Sequence, residues 1–275
     1  MKLSELRQKG KQILEQAGFE NPLYECDYLL SGSLDLPLLE LQLDGHREIS
    51  AFLCEKCLLL LERRARHEPA QYLLGRAPFR ELELKVTPAV LIPRPETEEL
   101  VDLALELAPL DGKVLDMGTG SGAIPLALKS ERPDLQMTGA DLSLEALAIA
   151  RENSQKLNLA VEFLHSDLWS ALENRCFHLV TANLPYVSEA EYKMCEQEIF
   201  YEPVMALTAP DEGLFLMKKM ISELDSHLSP GGGAVFELSD GQNDLICAYG
   251  ESCNFKAEMK RDLAGKKRFV ILRKR

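Results

Sequence analysis

With 275 residues, 46% of them hydrophobic and 27% charged, the chain has enough apolar material for one large folded domain, or one large and one small. No apolar run approaches the roughly 20 residues needed to cross a bilayer, and Met1-Lys2-Leu3-Ser4-Glu5-Leu6-Arg7 lacks the apolar stretch of a signal peptide, so a cytoplasmic protein with no membrane partner is expected. A formal net charge of −13, with dense basic residues only at Lys266-Lys267-Arg268 and Arg273-Lys274-Arg275, argues against direct nucleic-acid binding and favours a basic protein partner.

Residues 1–75 read as a small helical domain. Leu3, Leu6, Ile13 and Leu14 fall near helical spacing, as do Tyr24, Tyr28 and Leu29. Ser50 to Arg66 is a third amphipathic run, with Leu58 to Leu61 expected inward and Glu62-Arg63-Arg64 outward. Cys54-Glu55-Lys56-Cys57 lies within it, but no second ligand pair follows, so reduced, buried or idle thiols are expected and no metal site. Residues 76–92 change character: Phe79, Leu82, Leu84 and Val86 alternate with Arg80, Glu83 and Lys85, a period of two that predicts a β-hairpin linker.

Residues 93–275 alternate short apolar strands with helical patterns. The strand candidates are Val114–Leu115, Met137–Ala140, Val161–Leu164, Leu179–Ala182, Ala234–Leu238 and Phe269–Leu272. Ala123–Leu128, Ser143–Gln155 and Leu214–Leu228 are helical between them, and Ser229-Pro230-Gly231-Gly232-Gly233 reads as a turn. This alternation predicts an α/β fold, a mostly parallel sheet with helices on both faces.

The segment Asp116-Met117-Gly118-Thr119-Gly120-Ser121-Gly122 follows a strand and opens a helix, where doubly wound sheets bind nucleotides. Its D-x-G-x-G-x-G spacing is not the G-x-G-x-x-G of dinucleotide folds. An acid before the glycines repels pyrophosphate but suits the ammonium of an amino-acid-bearing cofactor. Asp141, twenty-five residues on, ends the next strand and is placed to accept from ribose hydroxyls. Asp167-Leu168-Trp169, at the third strand end, offers a carboxylate for an adenine amino group and an aromatic wall for its ring. Together these resemble the Rossmann-like S-adenosylmethionine methyltransferases, which implies that cofactor.

The fourth strand runs into Asn183-Leu184-Pro185-Tyr186. This resembles the [N/D/S]-[P/L/I]-P-[Y/F] loop of methyltransferases that modify planar nitrogen. Such a nitrogen shares its lone pair with a π-system and is a poor nucleophile. The Asn183 side-chain oxygen and the Leu184 carbonyl are candidates to accept its two N–H groups, with Pro185 stiffening the loop and Tyr186 stacking on the flat group. The loop alone leaves two substrates open, because N-P-P-Y is usual for glutamine amides and N-L-P-Y for adenine in ribosomal RNA. An adenine-N6 activity on RNA or DNA is therefore the alternative at this point.

Gln71-Tyr72-Leu73-Leu74-Gly75, Val86-Thr87-Pro88 and Leu91-Ile92-Pro93-Arg94-Pro95-Glu96-Thr97-Glu98 strongly resemble the release-factor glutamine methyltransferases, the HemK family. Glu202-Pro203, Gly213-Leu214, Glu237 with Gln242, and Asp262-Leu263-Ala264-Gly265 with Arg268 are similar to its later blocks. His178, Leu184 and Ser239 depart from its usual Asp, Pro and Gly. The resemblance implies a helical bundle and hairpin before a seven-stranded, mostly parallel sheet. It also implies N5-methylation of the glutamine in the Gly-Gly-Gln motif of peptide-chain release factors, which the helical domain would help to dock.

Overall fold

A computed structural model describes residues 1–275. The chain forms two compact units: Met1–Arg76 with Glu196–Tyr201, and Ala77–Cys195 with Glu202–Arg275.

The first unit holds α1 (Leu3–Gln16), α2 (Pro22–Leu34), α3 (Leu38–Leu43), α4 (Ala51–Arg64) and α5 (Ala70–Leu74). Leu3, Leu6, Leu14, Leu29, Leu30, Leu41 and Leu61 form its buried core. Arg7 clamps the buried Asp27 with two hydrogen bonds of 2.8 and 2.7 Å. Buried Arg64 pairs with Glu25 at 2.9 Å and Glu198 at 2.7 Å, and lies over the Phe19 ring. Ser50 caps α4 by accepting from Leu53 N.

The expectation that Leu58 to Leu61 all face inward is corrected, since Leu59 is 58% exposed. Four consecutive residues sweep most of the way around a helix. The buried face is instead Cys54, Cys57, Leu61 and Arg64, three or four residues apart. Burial pushes the Cys57 thiol up to about 11, so it stays protonated.

The second unit begins with a two-stranded sheet of β1 (Arg76–Phe79) and β2 (Leu82–Lys85). There follow α6 (Pro95–Leu107), β3 (Lys113–Met117), α7 (Ala123–Glu131), β4 (Gln136–Asp141), α8 (Leu144–Leu157), β5 (Glu162–His165), β6 (Phe177–Ala182) and α9 (Glu189–Tyr192). The chain closes with α10 (Phe215–His227), β7 (Leu228–Glu237), α11 (Asn243–Ser252), β8 (Phe255–Arg261) and β9 (Lys267–Lys274). The large sheet has seven strands in the order β5-β4-β3-β6-β7-β9-β8. All neighbours are parallel except β9, which runs antiparallel to both β7 and β8. Strand alternation feeds two cores. Leu115, Met117, Val180 and Phe236 pack with α10 and α11, whereas Val114, Leu179 and Val235 pack with α6 and α7.

Two local expectations change. Ser229–Gly233 is not a free turn; it lies inside β7 as an irregularity beside Phe177 and Leu179. Strand β8 was not among the strand candidates, although Phe255, Ala257 and Met259 alternate with Lys256, Glu258 and Lys260; it is an edge strand in which only Phe255 is buried. The hairpin packs into the sheet unit, with Phe79 and Leu84 in its core and Asn153 of α8 bonding the Lys85 N–H and carbonyl.

Candidate active site

Strand order reverses between β3 and β6, so the chain leaves their ends in opposite directions and opens a crevice there. A cleft of about 820 Å³, counting its open mouth, lies at these strand ends. Gly118, Gly120, Asp141, Asp167, Asn183 and Leu184 border it, with Leu142, Ala146 and Leu168 supplying apolar wall.

The glycine loop is fixed to β4 by Gly118 N and Thr119 N, which both donate to Ala140 O at 2.8 and 3.0 Å. Gly118 has φ +73°, and a Cβ there would stand 2.8 Å from Leu184 Cδ2. The glycine therefore lets the Asn183–Tyr186 loop close onto the cofactor loop. Asp141 accepts from Gly120 N through Oδ2 and from Ser143 N through Oδ1, both at 2.8 Å. Burial raises its pKa against the pull of those N–H groups.

Asp116 is fully buried and does not border the cleft. Its Oδ1 accepts from Thr181 Oγ1 at 2.8 Å, while Oδ2 is buried without a partner. Burial pushes this carboxyl up to about 7. Thr119 and Ser121 are likewise buried away from the cleft, and Gly122 stands against Ala150 and Phe163. Of the expected loop contacts, the structure brings Gly118 and Gly120 to the cleft and leaves Asp116, Thr119, Ser121 and Gly122 behind them.

The Asp167-Leu168-Trp169 expectation is corrected in one member. Asp167 borders the cleft, with its carboxylate 3.5 Å from Lys219 Nζ. Leu168 borders it as well, held at φ +48° by a Ser166 Oγ hydrogen bond to its carbonyl. Trp169 does not: its ring is buried, stacked 4.2 Å from His227, and its Nε1 donates to Met220 O. The apolar wall is Leu168, and the indole belongs to the core.

A smaller cavity adjoins the cleft, bordered by Arg94, Tyr186, Val187 and Leu207. The two share Leu91, Asn183, Leu184, Pro185 and Ala206. Asn183 and the Leu184 carbonyl thus stand where two compartments meet. Asn183 Nδ2 donates to Thr97 Oγ1 at 3.1 Å, and Thr97 Oγ1 donates to Glu237 Oε2 at 2.8 Å. Burial pushes Glu237 up to about 7. Burial, then the nearby Glu237 charge, pushes the Tyr186 phenol up to about 12, so it remains neutral.

Sequence reasoning did not assign the residues that hold this loop. Gln242 Nε2 donates to Tyr186 O and Glu212 O, each at 2.9 Å. Glu202 is buried, accepts from Ile92 N at 3.0 Å and pairs with Arg94. Thr97, Glu202, Glu237 and Gln242 all appear in the quoted motif blocks. Only the strand order shows why they converge: β6 and β7 are parallel neighbours, so Asn183 and Glu237 leave adjacent strand ends.

A family model described as PrmC N-terminal domain matches residues 5–75, and one described as Methyltransferase small domain matches residues 98–221. A methyltransferase from Pyrococcus furiosus shares the fold, with TM-score 0.57 at 19% identity over 77% of this chain and 98% of that one. The chain is 37% identical over 282 residues to a release factor glutamine methyltransferase of Koribacter versatilis, covering 100% of this chain and 99% of the relative. It is 34% identical to that of Deinococcus radiodurans, again over 100% and 99%. With a methyltransferase fold, a cleft at its switch point and identity running the full length of both chains, this chain belongs to the release factor glutamine methyltransferase family.

Proposed function

We propose that the protein transfers a methyl group from S-adenosylmethionine to the side-chain amide nitrogen (N5) of the glutamine in the Gly-Gly-Gln motif of peptide-chain release factors. The observation that carries this reading is the pair of adjoining cavities sharing Asn183, Leu184 and Pro185. The larger suits the cofactor. Asp141 is held rigid for a diol, Leu142 and Leu168 flank space for a flat base, and the unpartnered Asp116 Oδ2 leaves negative potential behind the glycine loop for an ammonium group. The cofactor supplies an electrophilic methyl on a sulfonium.

The chain's own groups do the rest by position. Asn183 Nδ2 is committed to Thr97, which leaves Oδ1 as the atom the side chain can offer to a substrate donor. That oxygen and the Leu184 carbonyl accept the two N–H groups of the substrate amide. They hold its nitrogen at the junction of the cavities and favour its pyramidal form. Tyr186, neutral and half-buried, covers the flat face of the amide, and Pro185 limits how far the loop can move. No strong base is needed, since the proton leaves after the nitrogen has become cationic.

The test is to incubate the protein with methyl-labelled S-adenosylmethionine and a purified release factor, then locate the label by peptide mass spectrometry. Label on the Gly-Gly-Gln glutamine is expected. Label on ribosomal RNA, with none on the release factor, overturns the reading.

A further inference from the structure

An asparagine amide can sit in either of two orientations related by a half-turn, and only one presents an acceptor to the cleft. What selects between them lies behind Asn183. Thr97 and Glu237 are 5% and 1% exposed, so water does not offer either an alternative partner. Thr97 has one hydroxyl proton, and an ionised Glu237 can only accept, which commits that proton to Oε2. The remaining lone pairs of Thr97 Oγ1 face Asn183 and can be met only by a donor, which is Nδ2 at 3.1 Å. Oδ1 is thereby turned away, toward the shared wall of the two cavities.

Release of the Thr97 proton removes the constraint. The hydroxyl can then donate to Asn183 Oδ1, and the flipped amide presents N–H groups to the cleft, donor against donor for an incoming amide. A buried carboxylate is also an expensive way to satisfy one hydroxyl, since a neutral acceptor does so without the desolvation penalty. We propose that Thr97 and Glu237 are positioning residues that fix the orientation of the Asn183 amide, with the charge on Glu237 as the fixed end of the relay. This rests on the substrate-orienting role proposed above for Asn183.

The charge on Glu237 is set by its surroundings. Burial pushes the carboxyl up to about 7 against the Thr97 hydroxyl, Arg268 on β9 and the Tyr186 phenol, which favour the charge, while Glu96 on the first turn of α6 opposes it. Acidification through that range protonates Glu237, which can then donate to Thr97 Oγ1, so the Thr97 proton is no longer committed to the carboxylate. Turnover therefore falls toward low pH with Glu237 as the titrating group. Asp116 is pushed into the same range, and saturating cofactor keeps any effect of its titration on cofactor affinity out of kcat.

The experiment measures kcat and KM from pH 6 to 9 with saturating S-adenosylmethionine and a purified release factor. Thr97→Ser, Thr97→Val, Glu237→Gln and Asn183→Ala are compared with the natural chain, and thermal melts and calorimetric cofactor binding confirm folding. Thr97→Ser, which keeps the hydroxyl, is expected within about threefold of the natural kcat, whereas Thr97→Val should lose about tenfold or more in kcat with cofactor affinity preserved. Glu237→Gln should be slow at all pH values and lack the acid limb. The relay is overturned if Thr97→Val keeps full kcat, if Ser and Val lose equally, or if Glu237→Gln retains the acid limb. Should Glu237→Gln not fold, the Thr97 pair decides alone. Full activity in Asn183→Ala instead removes the role assigned to Asn183 itself. Inactive Asn183→Ala with fully active Thr97→Val removes only the relay.

Discussion

Asp141 commits both carboxylate oxygens to backbone amides, Gly120 on one side and Ser143 on the other. Each oxygen keeps a further lone pair, so in the role proposed for it Asp141 offers a cofactor diol an acceptor that is already oriented. Asp141→Ala removes the acceptor and frees the glycine loop together, and should weaken S-adenosylmethionine binding by about 1.5–3 kcal/mol in calorimetry. Unchanged affinity in a folded variant would show that the diol binds elsewhere. The position of Asp141 at the cleft was legible in the sequence because a strand end fixes where the side chain goes. Trp169 was not: two residues beyond Asp167, after the left-handed turn at Leu168, spacing no longer tells which way a side chain points. The indole packs on His227, and the apolar member of that triplet that lines the cleft is the leucine before it.

The Asn183–Tyr186 loop shows the same division between what a pattern fixes and what convergence fixes. Asn183-Leu184-Pro185-Tyr186 is recognisable by its own four letters, but its shape is maintained by an amide from α11's leading edge and a turn before α10. Ser239 N donates to Gln242 Oε1 at 3.1 Å, which turns Gln242 Nε2 toward Tyr186 O and Glu212 O. Asp211, Glu212 and Gly213 all have positive φ, and a Cβ on Gly213 would fall 1.9 Å from Tyr186 O. Gly213→Ala must therefore displace the loop. It should destabilise the protein by about 1–3 kcal/mol and lower turnover more than it lowers cofactor affinity. A melt and a turnover assay check this, and full activity with an unchanged melt would mean that the turn relaxes without moving Tyr186. Linear pattern could not reveal this packing. His178 illustrates a departure absorbed locally, its Nδ1 accepting from Lys113 N at 2.9 Å.

At the scale of the whole molecule, Asp116 and Glu237 are both held near 7, above their ordinary values of 3.8 and 4.5, chiefly by burial. A raised carboxyl pKa penalises the folded state at high pH, and the penalty fades as pH falls through the folded value toward the ordinary one. The cofactor-free protein should therefore melt higher at pH 5 than at pH 8, by a few degrees. The trend should reverse only at lower pH, where carboxylates held low by their partners, such as Glu162 beside Arg175, are protonated. A melt that falls steadily from pH 8 to 5 would mean that the two carboxyls ionise normally. Partner selection is the other whole-molecule property. A four-residue loop can select an amide but hardly a particular protein, so a wider surface must do so. The helical unit exposes Leu39 and Leu43 on one side of α3, and Phe52 and Leu59, two turns apart, on α4. Removing residues 1–70 would be a poor test, because Arg64 and Arg66 hold Glu198 and Tyr201 and the chain then runs straight into Glu202. Paired substitutions Leu39→Ser with Leu43→Ser, and Phe52→Ser with Leu59→Ser, leave that segment in place and remove no buried group. At least one pair should reduce kcat/KM on an intact release factor by about tenfold, while methylation of a short Gly-Gly-Gln peptide and cofactor binding stay unchanged. Equal losses on protein and peptide would mean that these helices support the catalytic unit. No loss in either pair would place recognition outside these two exposed patches.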